Sequence, residues 1–248
     1  MIALVSILHD PDARLIELMR NNLGKIRFLF GTFTVVVTEN THPMVISLLK
    51  HMNIVIKFDS GELYEAYKNA LQEGAKTSAD TILMIDFDRL LVWAERFFDE
   101  LTKLKELDGI DYIIIERSES ALRSHPQHQF ETESLVNYFL SKEMGFNEER
   151  DFFSGAWMFS KEVVWYIIEN MKSKDKGFYS EWHLLAKEKA KSMNHIKCKG
   201  LEWETYYQYK DEVDEVGLAV WQKQFNEKDK NKRFLAMYEM LKIIKERS

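Results

Sequence analysis

Short apolar runs and amphipathic stretches alternate along this chain, and their order predicts its elements. Ile2 to Leu8 is apolar and β-prone and reads as a buried first strand. His9-Asp10-Pro11-Asp12 follows, with Asp10 as N-cap and Pro11 at the first helical position of a helix that runs through Leu15, Leu18 and Met19 and stops near Asn22 to Gly24. Phe33 to Thr38 is a second buried strand, Glu39 to His42 a polar loop, and Pro43 opens a helix through Val45, Leu48 and Leu49. Asn53 to Phe58 is a third strand, Asp59-Ser60-Gly61 a loop, and Glu62 to Ala75 a helix. Ile82 to Ile85 is a fourth strand, apolar at every position and bounded by acids, as expected of a strand covered on both faces. Val92 to Leu107 reads as one long amphipathic helix and Asp111 to Ile115 as a fifth strand. This alternation predicts right-handed βαβ crossovers. The predicted fold class is α/β, a doubly wound, mostly parallel sheet with an elaborated C-terminal half.

The second half is less regular. Ser118 to Gln129 reads as polar and irregular, Glu131 to Lys142 as a helix, and Phe152 to Phe159 as a strand with Gly155 inside it. An interior glycine suggests close approach of backbone or ligand. Helices are predicted over Lys161 to Met171 and Tyr179 to Ser192, and a strand over Asn194 to Lys199. An aromatic and acidic stretch, Leu201 to Tyr209, precedes two Lys-rich helices around Ala219 to Phe225 and Phe234 to Lys245. With no clean linker, a single domain over 1–248 is expected, with a nucleotide-binding half (1–117), an acceptor-side half (118–215) and C-terminal helices (216–248).

Composition narrows the function. The chain has 248 residues, 34 basic against 40 acidic, a net charge of −6 and no basic patch, which argues against a nucleic-acid polymer as partner. One cysteine, Cys198, excludes a disulfide framework and a Cys-based zinc site. No apolar run reaches membrane length, and the N-terminus lacks a basic leader, so a cytoplasmic location is expected.

The candidate chemistry sits at the end of the fourth strand, in Asp86-Phe87-Asp88-Arg89. In open α/β sheets, ligands bind beyond the carboxyl ends of the strands. Carboxylates at i and i+2 there can converge on one hard cation, Mg²⁺ or Mn²⁺, which is commonly held by one or two carboxylates plus substrate phosphates. A solvated strand end carrying two acids is the other reading of the triplet. Trp157, Trp182, Trp203 and Tyr206 can stack on a sugar ring or can simply pack in the core.

The stretch Gly61 to Ala75, with Tyr67-Lys68-Asn69-Ala70, followed by Ala79-Asp80 and the strand ending Asp86-Phe87-Asp88, resembles the GT-A nucleotide-diphospho-sugar glycosyltransferases. That resemblance is loose over the first 165 residues and specific over about 30. It implies a soluble, non-processive, metal-dependent hexosyltransferase-like enzyme that takes a nucleotide-sugar donor and an acceptor the sequence does not name. It implies nucleotide contacts at Ser6, Leu8, His9, Glu39, Lys68, Asn69, Asp86 and Phe87. Asp86 and Asp88 would hold the metal, with His183 or His195 as a late third ligand. Gly155 and Trp157 would lie on the acceptor strand, with Trp203 as a further acceptor contact. Glu181 stands where inverting relatives place an acid as general base, although it suits equally an ordinary acid at a helix N-terminus. Lys68 and Arg89 are candidate counter-charges for a diphosphate or plain surface groups. Two alternatives remain: a catalytically silent binding module of the same fold, and a sugar-phosphate nucleotidyltransferase. Against the latter, the loop after the first strand, His9 to Arg14, lacks glycine.

Overall fold

The computed structural model describes residues 1–59 and 61–247, with side chains at 226–229 left out; Ser60, in the expected loop after the third strand, lies outside the described residues. The first half builds β1 (Ile2–Leu8), α1 (Ile16–Leu29), β2 (Thr32–Thr38), α2 (Pro43–His51), β3 (Val55–Asp59), α3 (Leu63–Ala75), β4 (Thr81–Ile85), α4 (Phe87–Arg96), α5 (Phe98–Lys103) and β5 (Tyr112–Arg117). The second half adds α6 (Glu119–Ser124), α7 (Gln127–Met144), β6 (Ala156–Ser160), α8 (Lys161–Asn170), α9 (Phe178–Lys189), β7 (Met193–Cys198), α10 (Thr205–Gln208), α11 (Lys210–Val216) and α12 (Leu218–Arg247).

These strands form one seven-stranded sheet in the order β3-β2-β1-β4-β6-β5-β7. All neighbours are parallel except β6, which runs antiparallel between β4 and β5. This is the doubly wound, mostly parallel α/β sheet that the alternation of elements predicts. Successive strands run outward from β1 through β2 to β3, while β4 returns to the other side of β1. The strand order therefore reverses between β1 and β4, and a crevice opens there at their carboxyl ends.

The side-chain alternation of β4 explains why it lies at the centre. Leu83 and Ile85 point into a core shared with α1, α2 and α4, whereas Ile82 and Met84 point into a second core with α3, α7, α8, α9 and α12. Each of these aliphatic side chains is fully buried, and each contributes about 1.5–3 kcal/mol. Gly74 of α3 lets that helix settle on the sheet, since a Cβ there would lie 2.9 Å from both Ile82 and Val5.

Several boundaries differ from expectation for identifiable reasons. Asp10 is not the N-cap of α1, which is Leu15; its carboxylate instead accepts from the N–H groups of Arg14 (2.9 Å) and Leu15 (3.0 Å) in the turn before the helix. The helix starts only at Ile16, because Ala13 takes a positive φ of 58° that breaks the intervening turn. Gly24 does not end α1, because the apolar stripe continues through Ile26 and Leu29 into the core. The single helix expected over Val92 to Leu107 is instead α4, α5 and a 3₁₀ turn, broken at Phe97. The stretch after Ser118 is not irregular: Ser118 caps α6 through Ala121 N–H, and Pro126 starts α7. One continuous helix, α12, replaces the two expected at the C-terminus. Among the described residues, no helix is long and apolar enough to cross a membrane.

Candidate functional site

The D-x-D acids straddle the junction of β4 and α4. Asp86 is the N-cap of α4, and Asp88 lies in its first turn. The positive end of the helix dipole favours both carboxylates there. The Asp86 N–H bonds to the carbonyl of Gly155 (3.0 Å), which ties the acid to the turn before β6. Gly155 is required at that point. Its φ is +73°, and a Cβ would lie 2.6 Å from both Asp86 Oδ2 and Arg89 Nη1. The close approach anticipated from an interior glycine is therefore an approach to these two side chains.

Four charged groups form the centre of the site. Arg89, buried, donates through Nε (3.1 Å) and Nη2 (2.8 Å) to Glu204 Oε2, and through Nη1 to the carbonyl of Ser154. Asp86 accepts from the Tyr67 hydroxyl, and Asp88 accepts at Oδ2 from Gln208 Nε2 (2.5 Å). Arg89 is thus the guanidinium in direct contact with this group of three carboxylates, and Lys176 and Arg233 are further cations of the cavity that Asp86, Arg89 and Glu204 line. Both aspartates titrate above the usual carboxylate range, chiefly because they are buried. Burial pushes Asp86 up to about 6 despite the nearby Arg89. Burial, then repulsion from Glu204 and Asp86, pushes Asp88 up to about 7. Glu204 goes the other way: burial raises it, but Arg89, His125 and its hydrogen bonds together lower it.

Two cavities meet at Asp86. One, at the β1/β4 reversal, is lined by Ile7, Leu8, His9, Leu15, Tyr67, Asp86, Asp88 and Gln208. Its volume is about 220 Å³. The other, of about 200 Å³, lies over the β6 side and includes Asp86, Arg89, Gln129, Glu133, Gly155, Trp157, Tyr179 and Glu204. Tyr67 stands between aromatic rings of Trp157, Phe178, Tyr179 and Trp182, at centroid distances of 5.3–6.0 Å. That packing fixes its hydroxyl on Asp86.

The predicted residues divide clearly. Leu8, His9, Asp86 and Asp88 come together around the first cavity, and Gly155 and Trp157 line the second. Ser6, Phe87, Lys68, Asn69 and Glu39 line neither. Ser6 Oγ donates to the carbonyl of Ile85 (2.5 Å), Phe87 is buried in ring contact with Phe33, Asn69 donates to Asp59 (2.5 Å), and Glu39 is exposed. Trp203 packs with Trp221 and Val213 in a satellite cluster and borders a separate cavity with Tyr206, Tyr207 and Arg96. Arg89 is the buried partner of Glu204 rather than a surface cation.

Two expectations are corrected. His183 is buried with both ring nitrogens engaged, Nδ1 by the Tyr112 hydroxyl and Nε2 by the carbonyl of Phe152 at 3.1 Å. Burial drops its pKa to about 3, so it is neutral and has no lone pair turned to the acids. His195 pairs with Glu116 at 2.9 Å on β7. Glu181 lines neither cavity. Its Oε2 accepts from the N–H groups of Lys172 (2.9 Å) and Ser173 (2.8 Å), and its Oε1 from Arg247 (2.9 Å). It anchors the α8–α9 connection and the end of α12. Sequence reasoning missed Tyr67 as a contact of Asp86, and it missed Glu204 and Gln208, although the aromatic and acidic stretch around Glu204 stood out.

Among the described residues, no group of three or more His, Cys, Asp and Glu is arranged to hold a metal ion. Asp86 and Asp88 supply two carboxylates, a donor set that suits a divalent cation completing its shell with phosphate and water oxygens.

No family model matches the sequence, and no curated protein matches it. Among solved structures, the chain is similar to 4-diphosphocytidyl-2C-methyl-D-erythritol synthase from Anaerococcus prevotii. The identity is 10% and the TM-score 0.49, covering 88% of this chain and 99% of that one. It is also similar to glucosyl-3-phosphoglycerate synthase from Mycobacterium tuberculosis in complex with Mg²⁺ and uridine diphosphate. There the identity is 14% and the TM-score 0.44, covering 79% and 69% of the two chains. The same enzyme with Mn²⁺, uridine diphosphate and phosphoglyceric acid gives 13% and 0.42, covering 79% and 68%. At these scores the likeness bears on none of the chemistry; the fold stands on the sheet order and the site on its side chains.

Two outcomes are expected. Glu181→Gln removes the ion pair with Arg247 and weakens acceptance from two backbone N–H groups, so stability falls by about 1–3 kcal/mol in urea denaturation while nucleotide affinity is unchanged. A large loss of turnover without loss of stability would return Glu181 to the chemistry. The second concerns pH. In metal-free protein, Asp86 and Asp88 bind protons more tightly folded than unfolded. Their contribution is therefore present below the unfolded carboxylate pKa and lost as pH rises through about 6 to 7. Asp88→Asn is thus expected to raise the melting temperature at pH 8, by an amount worth on the order of 2 kcal/mol, and to leave it unchanged at pH 4. An equal effect at both pH values contradicts this.

Proposed function

We propose that the chain transfers a sugar from a nucleotide-diphospho-sugar donor, with a divalent cation, Mn²⁺ or Mg²⁺, between donor diphosphate and the Asp86/Asp88 pair. One observation carries the reading: a buried carboxylate pair that accepts from neutral donors stands at the β1/β4 reversal, where one acid borders both cavities. The nucleotide occupies the cavity of Leu8, His9 and Tyr67, with its diphosphate toward Asp86 and Asp88. The sugar and acceptor occupy the cavity of Gly155, Trp157 and Glu204.

Each side chain has a role in this arrangement. Tyr67 donates to Asp86 and holds that carboxylate in one orientation. Arg89 supplies fixed positive charge beside the diphosphate, and Glu204 and the Ser154 carbonyl keep its guanidinium in place. Trp157 and Tyr179 form an apolar wall against which a sugar ring can pack. When bound, the cation offsets the negative charge that grows on the leaving diphosphate. The enclosed site strengthens every one of these interactions by excluding water.

A second reading, a binding module without turnover, has its own support. The acids of the second cavity already have partners: Glu204 pairs with Arg89, and Glu133 with Arg117 and Arg233. With Glu181 committed elsewhere, the acids that line that cavity among the described residues are these two ion-paired glutamates and Asp86, the proposed metal ligand.

The test is a thermal-shift panel of nucleotide sugars and nucleoside diphosphates with and without Mn²⁺. A ligand present at 100 times its Kd stabilises the native state by about 2.7 kcal/mol. Stabilisation is expected only with ligand and Mn²⁺ together, and Asp88→Ala is expected to abolish the Mn²⁺-dependent part without loss of fold. An undiminished Mn²⁺-dependent shift in that variant contradicts the assignment. Release of nucleoside diphosphate from a stabilising sugar nucleotide distinguishes the transferase from the silent module.

A further inference from the structure

The segment from Leu201 to Val216 crosses the site as a strap. At one end Glu204 grips Arg89 beside Asp86. Farther along, Tyr209 lies under the guanidinium of Arg14 (4.1 Å), and Glu212 accepts from Arg14 Nη1 (3.1 Å). Trp203, Val213 and Trp221 give the strap a small core of its own, apart from the two main cores. Between these anchors Gln208 reaches into the β1/β4 cavity and donates to Asp88 Oδ2 at 2.5 Å.

An amide at this position is informative. A lysine or arginine here would neutralise Asp88 permanently and compete with any bound cation. Glutamine satisfies the carboxylate without adding a positive charge beside it. It carries both a donor and an acceptor on one carbon. The torsion that exchanges them is broad and roughly two-fold, so the same side chain can present N–H to Asp88 or its carbonyl oxygen to a cation. Hard divalent cations take amide carbonyls as well as carboxylates.

Resting on the proposed cation site, the geometry points to Gln208 as its third protein ligand: the amide turns its oxygen to the cation and thereby fastens the strap over the bound diphosphate. Glu204 and Gln208 then couple the two cavities, one side chain of the strap facing each. Between the strap's fixed anchors, Gln208 is fastened to the cation when one is present and held by a single neutral hydrogen bond to Asp88 when it is not.

The test compares wild type, Gln208→Leu and Gln208→Glu in the full chain. Mn²⁺ affinity is read from the electron paramagnetic resonance signal of free Mn²⁺, alone and with inorganic pyrophosphate as the probe for a diphosphate. Both variants lose the N–H that Asp88 accepts, so a merely supporting hydrogen bond predicts that both weaken Mn²⁺ binding alike. A ligand role predicts opposite directions. Gln208→Leu weakens Mn²⁺ binding about ten-fold or more, while Gln208→Glu tightens it. In wild type, Mn²⁺ with pyrophosphate slows amide hydrogen exchange across residues 202–216, and in Gln208→Leu it does not. Equal Mn²⁺ affinities in all three proteins, or equal weakening in both variants, overturn the inference. If Gln208→Leu fails to fold, Gln208→Met, which has no amide oxygen and adds no charge, takes its place: weaker Mn²⁺ binding together with loss of the Mn²⁺-pyrophosphate slowing of exchange across 202–216 supports the ligand role, and wild-type behaviour in both overturns it. If wild type binds no Mn²⁺ even with pyrophosphate, the proposed cation site itself fails, and this inference with it.

Discussion

Burial of the Asp86/Asp88 pair beside a single guanidinium is the constraint around which this molecule is arranged. Two carboxylates at the end of a fully buried strand repel one another, and Glu204 adds a third. Arg89 compensates one of the three. The surroundings do the remaining work without adding charge. The α4 N-terminus faces both acids, the Tyr67 hydroxyl and the Gln208 amide each donate to one, and Gly155 removes the Cβ that would displace Asp86. The result is a polar cluster in which Asp86 and Asp88 accept from neutral donors while Glu204 takes the guanidinium. A second cluster is built on ion pairs instead: Arg117 is buried between Asp151 and Glu133, Arg233 also pairs with Glu133, and Arg117 holds Asp151 down to about 2 despite burial.

That contrast shapes the functional reading. Around Arg117 the ion pairs fix the geometry of β5 against α7, and Glu133 and Arg233 carry that cluster to the wall of the second cavity. Around Arg89 the acids border both cavities. The sheet explains why the Arg89 cluster lies where it does. Only where the strand order reverses do two crossovers leave in opposite directions and expose the strand ends to a ligand. β1 and β4 meet there, and the antiparallel β6 brings Gly155 and Trp157 to the same edge.

Much of this was legible in the sequence, for local reasons. β4 is apolar from Ile82 to Ile85, and both its faces are buried; that run carries the information by itself. The acids that end it are adjacent in sequence as well as in space, so their pairing was readable. Gly155 was readable as a close approach, though not what it approaches. What the sequence withheld depends on distant partners. Glu204 lies 115 residues from Arg89, and Gln208 lies 120 from Asp88. Nothing in the local pattern distinguishes Gln208 from any other glutamine in a polar stretch. Glu181 and His183 failed for the complementary reason. An acid and a histidine early in a helix look the same whether they face a cleft or the interior. Their true partners, Arg247, Tyr112 and the carbonyl of Phe152, come from other elements. The helix boundaries moved where a single backbone feature, such as the positive φ of Ala13 or the break at Phe97, outweighed a periodic pattern.

The central claim is that the carboxylate pair of this cluster exists to receive a cation with a diphosphate. Crystals grown with Mn²⁺ and a nucleoside diphosphate, and measured at the manganese absorption edge, test it directly. The account predicts one anomalous peak within about 2.0–2.4 Å of carboxylate oxygens of Asp86 and Asp88. It predicts the diphosphate on the other side of the metal and the nucleoside in the cavity of Leu8, His9 and Tyr67. A peak elsewhere, or a nucleotide bound in the cavity around Glu116 and Arg150 at the end of β5, would contradict it.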